Sequence, residues 1–184
     1  RAGISREAQD QFAVESHRRA VAAVNAGVFR NEIVDVSVAA RSGSTIVSAD
    51  EGPRADCDLA RLSMLRPAFA GDGSVTAGNA STISDGASAV VVASVAVAER
   101  LGRQPLARIV ASATAGGPPE DLFTAPVAAI RQVLERAGRS LADVDLFEIN
   151  EAFAVQMLAC IRQLDLHPDR VNVHGGAIAL GHPI

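Results

Sequence analysis

Between Ser88 and Val173 the chain alternates short apolar runs with amphipathic stretches closed by glycine, an alternation that admits few architectures. Ala89–Ala93 is a continuous apolar run, the pattern of a strand buried on both faces. Val95–Leu101 reads as a helix capped by Gly102, and Ala107–Ser112 as the next strand. Thr124 is placed to cap a helix with Pro126 in its first turn, and Val127, Ile130, Val133, Leu134 and Ala137 form one stripe before Gly138. Val144–Ile149 follows as a strand. A helix then opens at Glu151 with Phe153, Met157, Cys160, Ile161 and Leu164 on one face, and Val171–Val173 is a short strand. Such units bury their apolar faces by stacking helices on a sheet, so a layered α/β fold is predicted.

The first third is less regular. Ser5 caps a helix whose apolar positions Ala8, Phe12, Ala20 and Val24 predict a surface-packed element stopped by Gly27. Ile33–Val38 alternates apolar and polar residues, and Ser44–Ser48 follows a Ser-Gly turn, which predicts a hairpin. Asp50–Ser74, with Pro53, Pro67 and several glycines, reads as a long loop carrying a short helix near Asp58–Met64. Loops of that length inside a compact domain are functional or disordered, and the apolar content here favours function.

Composition narrows the function classes. A chain of 184 residues with 48% hydrophobic and 21% charged residues has enough apolar mass for a core, which excludes a disordered chain. A net charge of −4 without a basic cluster argues against nucleic acid or an anionic membrane as partner. The longest apolar run, Ala87–Ala98, is broken by Ser88 and Ser94 and falls short of the roughly 18 residues of a membrane span. Cys57 and Cys160 lie far apart without CxxC spacing, so neither a disulfide framework nor a metal site is expected. A soluble, reducing, cytoplasmic setting fits this usage. Arg1 is preceded by no initiator Met, and Ile184 follows directly on a Gly-His-Pro turn, so both ends are expected to be cut from a longer protein.

Two constellations could carry chemistry. Asn150-Glu151 stands where a strand gives way to a helix, a common place for sites in α/β folds. Asn150 is either the cap of that helix, with Glu151 favouring the dipole, or part of a polar site. Gly175–Gly181 contains three glycines and two alanines, which let backbone approach a ligand or another segment closely. It delivers His182 onto a turn restrained by Pro183, as a surface residue or a functional one. The tail lacks the Gly-Lys-Ser/Thr of a phosphate loop and GxGxxG spacing, and the chain has no GxSxG elbow. His17 and His167 read as solvated, His174 as structural, and Cys160 as a small core residue. The small and hydroxyl residues of Ser74–Gly86 suit turns or the floor of a groove.

Three segments together resemble the thiolase family: SVTAGNASTISDGASAVVVAS (Ser74–Ser94), FEINEAFAVQ (Phe147–Gln156) and VNVHGGAIALGHPI (Val171–Ile184). The opening GISREAQDQFAVESH is similar as well. The resemblance implies a layered αβαβα fold, incomplete at both ends. Residues 1–87 would close the first thiolase half, with residues from about Ile33 to Phe69 forming part of the loop domain that covers coenzyme A. Residues 88–184 would be a partial second half. The implied reaction is thiolysis of a 3-oxoacyl-CoA, or the reverse Claisen condensation, through an acyl-cysteine.

In that frame His182 activates the thiol, and the same histidine, with a water held by Asn150, stabilises the enolate oxygen. Glu151 orients its neighbours, and Phe153 lines the acyl or pantetheine channel. Ser81 and Ala77 lie along the pantetheine, while Arg54 and Phe69 face the nucleotide end. The implied partners are acyl-CoA and CoA, used as substrates with no bound cofactor and no metal, and further copies of the chain in a dimer or tetramer. Neither Cys57 nor Cys160 has the context of the family's nucleophile or its acid/base cysteine. Both are therefore expected outside these residues, and the isolated stretch is expected to be inactive. The alternatives are a non-catalytic acyl-CoA or lipid-binding relative and a decarboxylating condensing enzyme, the latter disfavoured by the joint presence of NEAF and GHP.

Overall fold

A computed structural model of the chain describes residues 3–40 and 43–183. The elements are α1 (Arg6–Asn25), β1 (Val36–Ala40), β2 (Gly43–Val47), α2 (Leu59–Ser63), α3 (Val95–Arg100), α4 (Ala125–Ala137), α5 (Ala154–Leu164) and α6 (Ala177–Leu180). They divide into two compact units, one built from the residues up to Ser84 together with Asp145–His182, the other from Asp85–Val144.

In the first unit α1 begins where its sequence predicts, with the Ser5 hydroxyl accepting from the Ala8 amide at 3.1 Å. Its buried stripe differs from the apolar one expected. Gln9, Asp10, Ala13, Ser16, His17, Ala20 and Ala23 face inward, whereas Val24 is exposed. The inward face is therefore small and polar, and its polar members meet specific partners. Gln9 donates to the Ser74 hydroxyl, and Asp10 accepts from Arg6 and from Asn79. α1 packs on α2, α5 and α6 through a core of Ala13, Leu62, Ala154 and Ile178, flanked by Phe12, Val14 and Cys57. Alanines at the contact let the helix axes approach closely.

α2 sits where the long loop predicts it, with the Asp58 carboxylate capping the Arg61 amide at 2.8 Å. β1 and β2 pair antiparallel, from Val36↔Val47 to Ala40↔Gly43, a hairpin shifted a few residues from the predicted edges. Ser42, half of the expected Ser-Gly turn, lies outside the described residues. Val144–Ile149 and Val171–Val173 meet through one parallel bridge, Phe147↔Val171, rather than as full strands.

In the second unit α3 and α4 form as expected, α4 ending on Gly138. The cap of α4 is different. Thr124 already has helical backbone angles, closes a 3-10 turn over Pro119–Thr124, and donates its hydroxyl to the Asp121 carbonyl. The predicted buried strands Ala89–Ala93 and Ala107–Ser112 do not form: Val91 is 98% exposed and Ile109 72% exposed. A strand needs a lateral partner for its backbone, and among the described residues none lies beside either run. Apolar content alone does not supply one.

His17 is a further correction. It is buried, and its Nδ1 accepts the Arg54 amide at 3.1 Å, so the expectation of a solvated helix face is overturned. Burial, reinforced by the nearby Arg54 charge, holds its imidazole below the ordinary histidine range. The unfolded chain takes up this proton as pH falls through about 6.5, while the folded chain resists it. Stability from this site is complete above that pH and is lost below it. Thermal unfolding between about pH 7 and 5 should therefore show a shallower acid-side loss in His17→Gln than in the wild type.

Candidate active site

The strand-like segment at Phe147 runs toward the site. The Phe147 amide donates to the Arg170 carbonyl at 2.8 Å, and its carbonyl accepts from the Asn172 amide at 2.9 Å. One step further the partner is a side chain: the Asn172 carboxamide accepts from the Ile149 amide and donates to the Ile149 carbonyl, both at 2.8 Å. Beyond Ile149 the chain turns. Asn150 is exposed and Glu151 is buried, and α5 starts three residues later than expected, with Phe153 in the cap position. Asn150 is therefore not the helix cap. Its Nδ2 lies 3.3 Å from Nδ1 of His182.

This contact has chemical meaning. Placed as it is, the amide donates to Nδ1 and leaves an N–H on Nε2 of a neutral ring. Turned over, its oxygen accepts from Nδ1 and frees Nε2 as a base. A carboxamide serves both neutral tautomers without moving the ring.

His182 is delivered by the glycine-rich segment. Gly176 lies against the Glu151 carboxylate, so closely that any side-chain carbon would overlap it. Gly181 has φ 95° and ψ 164°, a region open essentially to glycine alone, and a Cβ there would sit 2.5 Å from the Ser84 hydroxyl. The His182 amide then donates to the Thr82 carbonyl at 3.2 Å. The hydroxyl-rich stretch ending at Ser84 is thus a wall of the site.

The other sequence-derived residues fall in two groups. Ala80 bridges Phe153, the Ser81 amide donates to the Ala152 carbonyl at 3.0 Å, and Phe69 meets Phe153 edge-to-face at 6.1 Å between ring centres. These residues join the Asn150 segment directly. Ala77 is exposed on the turn whose Thr76 amide is held by Asn79. Arg54 is exposed on a loop tied down through its own amide to His17 and through Gly52, which lies against the Ala179 carbonyl of α6. The structure thus fixes the Arg54 backbone and leaves its side chain facing solvent.

Both cysteines are held as thiols. Cys160 is fully buried on α5, and burial raises its pKa; burial also raises that of half-buried Cys57, with Asp58 adding to it. His167 is exposed, as expected, and His174 rests edge-on against Phe29. An open cavity of about 390 Å³ lined by Arg18, Arg19, Asp169 and His174 includes neither Asn150 nor His182. Among the described residues no cluster of His, Cys, Asp and Glu could hold a metal, and no helix is long and apolar enough to cross a membrane.

Sequence reasoning missed Ser16 and Asn172, and it reached Thr82 and Ser84 only as part of the hydroxyl-rich stretch Ser74–Gly86. Ser16 carries a faint signal, since polar residues recur at helical spacing along α1. Asn172 carries none, because it sits inside a run with the pattern of a short strand.

Comparison with known proteins gives this geometry a family. Residues 1–96 match the model of the thiolase N-terminal domain, and residues 103–184 that of the thiolase C-terminal domain. The chain belongs to the thiolase family. It is 52% identical over 181 residues to an acetyl-CoA acetyltransferase of Paracoccus denitrificans, covering 98% of this chain and 46% of that one. It is 51% identical to a probable acetyl-CoA acyltransferase of Staphylococcus aureus, covering 99% and 47%. The crystal structure of Bacillus anthracis acetyl-CoA acetyltransferase matches with a TM-score of 0.96 and 48% identity, over 98% of this chain and 46% of that one. Human mitochondrial 3-ketoacyl-CoA thiolase matches with a TM-score of 0.94 and 47% identity, over 98% and 46%. The fold is therefore the α/β thiolase fold, and the chain spans just under half the length of these relatives.

Because Gly181 combines a glycine-only conformation with contact against Ser84, this thiolase segment should tolerate no side chain there. Gly181→Ala is expected to cost about 2–4 kcal/mol in urea unfolding, whereas an exposed glycine such as Gly71 replaced by Ala should stay within about 1 kcal/mol.

Proposed function

We propose that this chain supplies the Asn150–His182 half of an acyltransferase site that cleaves 3-oxoacyl-CoA by thiolysis, or in reverse condenses two acyl-CoA molecules. The observation that carries the reading is the 3.3 Å approach of the Asn150 amide to the His182 ring across two separate segments.

In this reading a cysteine thiol outside these residues is the nucleophile, since neither Cys57 nor Cys160 has the context of the family's nucleophile and Cys160 is sealed in the core on α5. His182 takes the thiol proton, and the thiolate attacks the 3-oxo carbon. The bond between C2 and C3 breaks, leaving an acyl-cysteine and the enolate of acetyl-CoA. His182 and a water held by Asn150 donate to that enolate oxygen, and an acid returns a proton to C2. The thiol of a second CoA then attacks the acyl-cysteine, releasing a shortened acyl-CoA and restoring the enzyme thiol. Phe153, Phe69, Ser81 and Ala77 form the wall along which the pantetheine runs, and Arg54 faces the nucleotide phosphates. CoA is a substrate here, with no resident cofactor.

The family halves divide near residue 87, the protein is cytoplasmic, and it works as a dimer or tetramer. These readings rest on the family resemblance alone; the two family models meet between residues 96 and 103, and one similar structure is a mitochondrial protein.

In the full-length protein, His182→Ala should lower kcat for thiolysis of acetoacetyl-CoA by about 10²–10⁴-fold while CoA affinity is retained. Residues 1–184 alone should bind but not cleave. A full-length wild type that binds CoA tightly without turnover would replace this reading with that of a non-catalytic acyl-CoA binder.

A further inference from the structure

The two site residues arrive on different segments, Asn150 directly after Ile149 and His182 two residues beyond the end of α6. Something rigid has to set one against the other, because catalysis by such a pair depends on sub-ångström placement. Backbone pairing does not do it: the ladder between the Phe147 and Val171 segments stops short of Ile149.

From that point a single side chain takes over. Asn172 is 3% exposed, and its carboxamide satisfies both the N–H and the C=O of Ile149 at 2.8 Å. Its Nδ2 also donates to Oε1 of Glu151 at 2.9 Å. Oε2 of Glu151 accepts from the Ser16 hydroxyl of α1 at 2.7 Å and from the Ile178 amide of α6 at 3.2 Å. The Ser16 oxygen in turn accepts from the Gly176 amide at 3.1 Å. A buried path of hydrogen bonds thus runs from the backbone before Asn150 to α6, which leads into His182.

We propose that Asn172, acting through Glu151, is a positioning residue that sets the Asn150–His182 geometry; the inference rests on the site reading above. Three demands meet at this position. The backbone is left-handed, with φ 47°, which asparagine tolerates better than most residues. The side chain has to accept from one backbone group and donate to another at the same reach. It also has to offer a donor to a buried carboxylate. Aspartate lacks the donor, and leucine lacks both functions.

The test is made in the full-length protein. Asn172→Asp keeps the shape but removes the donor and sets a carboxylate against Glu151. Asn172→Gly keeps the backbone conformation while deleting the side chain. Both should lower kcat for acetoacetyl-CoA thiolysis by about 10–100-fold with KM nearly unchanged, and both should shift the ¹⁵N signals of the His182 ring. Folded variants with wild-type kcat and unmoved His182 signals would overturn the proposal and leave Asn172 a fold residue only. If neither variant folds, Ser16→Ala, which removes one strut of Glu151, is measured in the same two ways: lowered kcat with shifted His182 signals supports the proposal, and wild-type values overturn it. A wild type without thiolysis would defeat the functional reading, and the His182 signals would then decide the positioning role alone.

Discussion

The Glu151 carboxylate is 1% exposed, and the three groups that hold it are neutral donors from three segments: the Ser16 hydroxyl, the Asn172 amide and the Ile178 backbone N–H. A buried carboxylate is tolerated only while such donors stand in for lost water. The requirement therefore runs outward from one side chain. α1 has to present a small hydroxyl, the segment at Asn172 has to turn left-handed, and Gly176 has to remain without a side chain because the carboxylate occupies that space. Each constraint also advances the site, since the same three segments bring Asn150 and His182 together.

α1 shows the same logic on a larger scale. Its inward face is weakly amphipathic because its contacts are specific rather than apolar. Asp10 meets Asn79, which holds the turn at Thr76; Ser16 meets Glu151; His17 receives the Arg54 amide. The helix thereby anchors the irregular loop that precedes the site as well as the site itself. Hydrogen bonds of this kind contribute modestly to net stability yet are costly to break once buried. Their effect is to select one arrangement of loops that hydrophobic packing alone would leave degenerate.

Legibility in the sequence follows the range of the interaction. Ser5, Asp58 and Ser94 act within three residues along the chain, and each caps a helix where one is expected. The hairpin, α4 and the stripe of α5, with Met157, Cys160 and Leu164 buried, follow from local period. The runs at Ala89–Ala93 and Ala107–Ser112 depart from expectation because burial of a strand depends on neighbours that no local pattern specifies. His17 departs for the converse reason, as a polar residue whose partner lies 37 residues away. For Asn150 the sequence leaves both cap and site open, and the later start of α5 removes the cap.

By itself, the sequence determined the approximate positions of α1 to α5 and of the hairpin, the glycines that allow close approach, and the presence of an Asn and a His in motifs that resemble one family. These depend on contacts within a turn or two of the chain or on residue order alone. Only the tertiary structure decided that the Asn150 amide faces the His182 ring, that Glu151 is turned inward, and that Asn172 replaces a backbone partner at Ile149. Those outcomes require segments tens of residues apart to share one buried space, and the donors and acceptors they bring there can be matched only once that space exists.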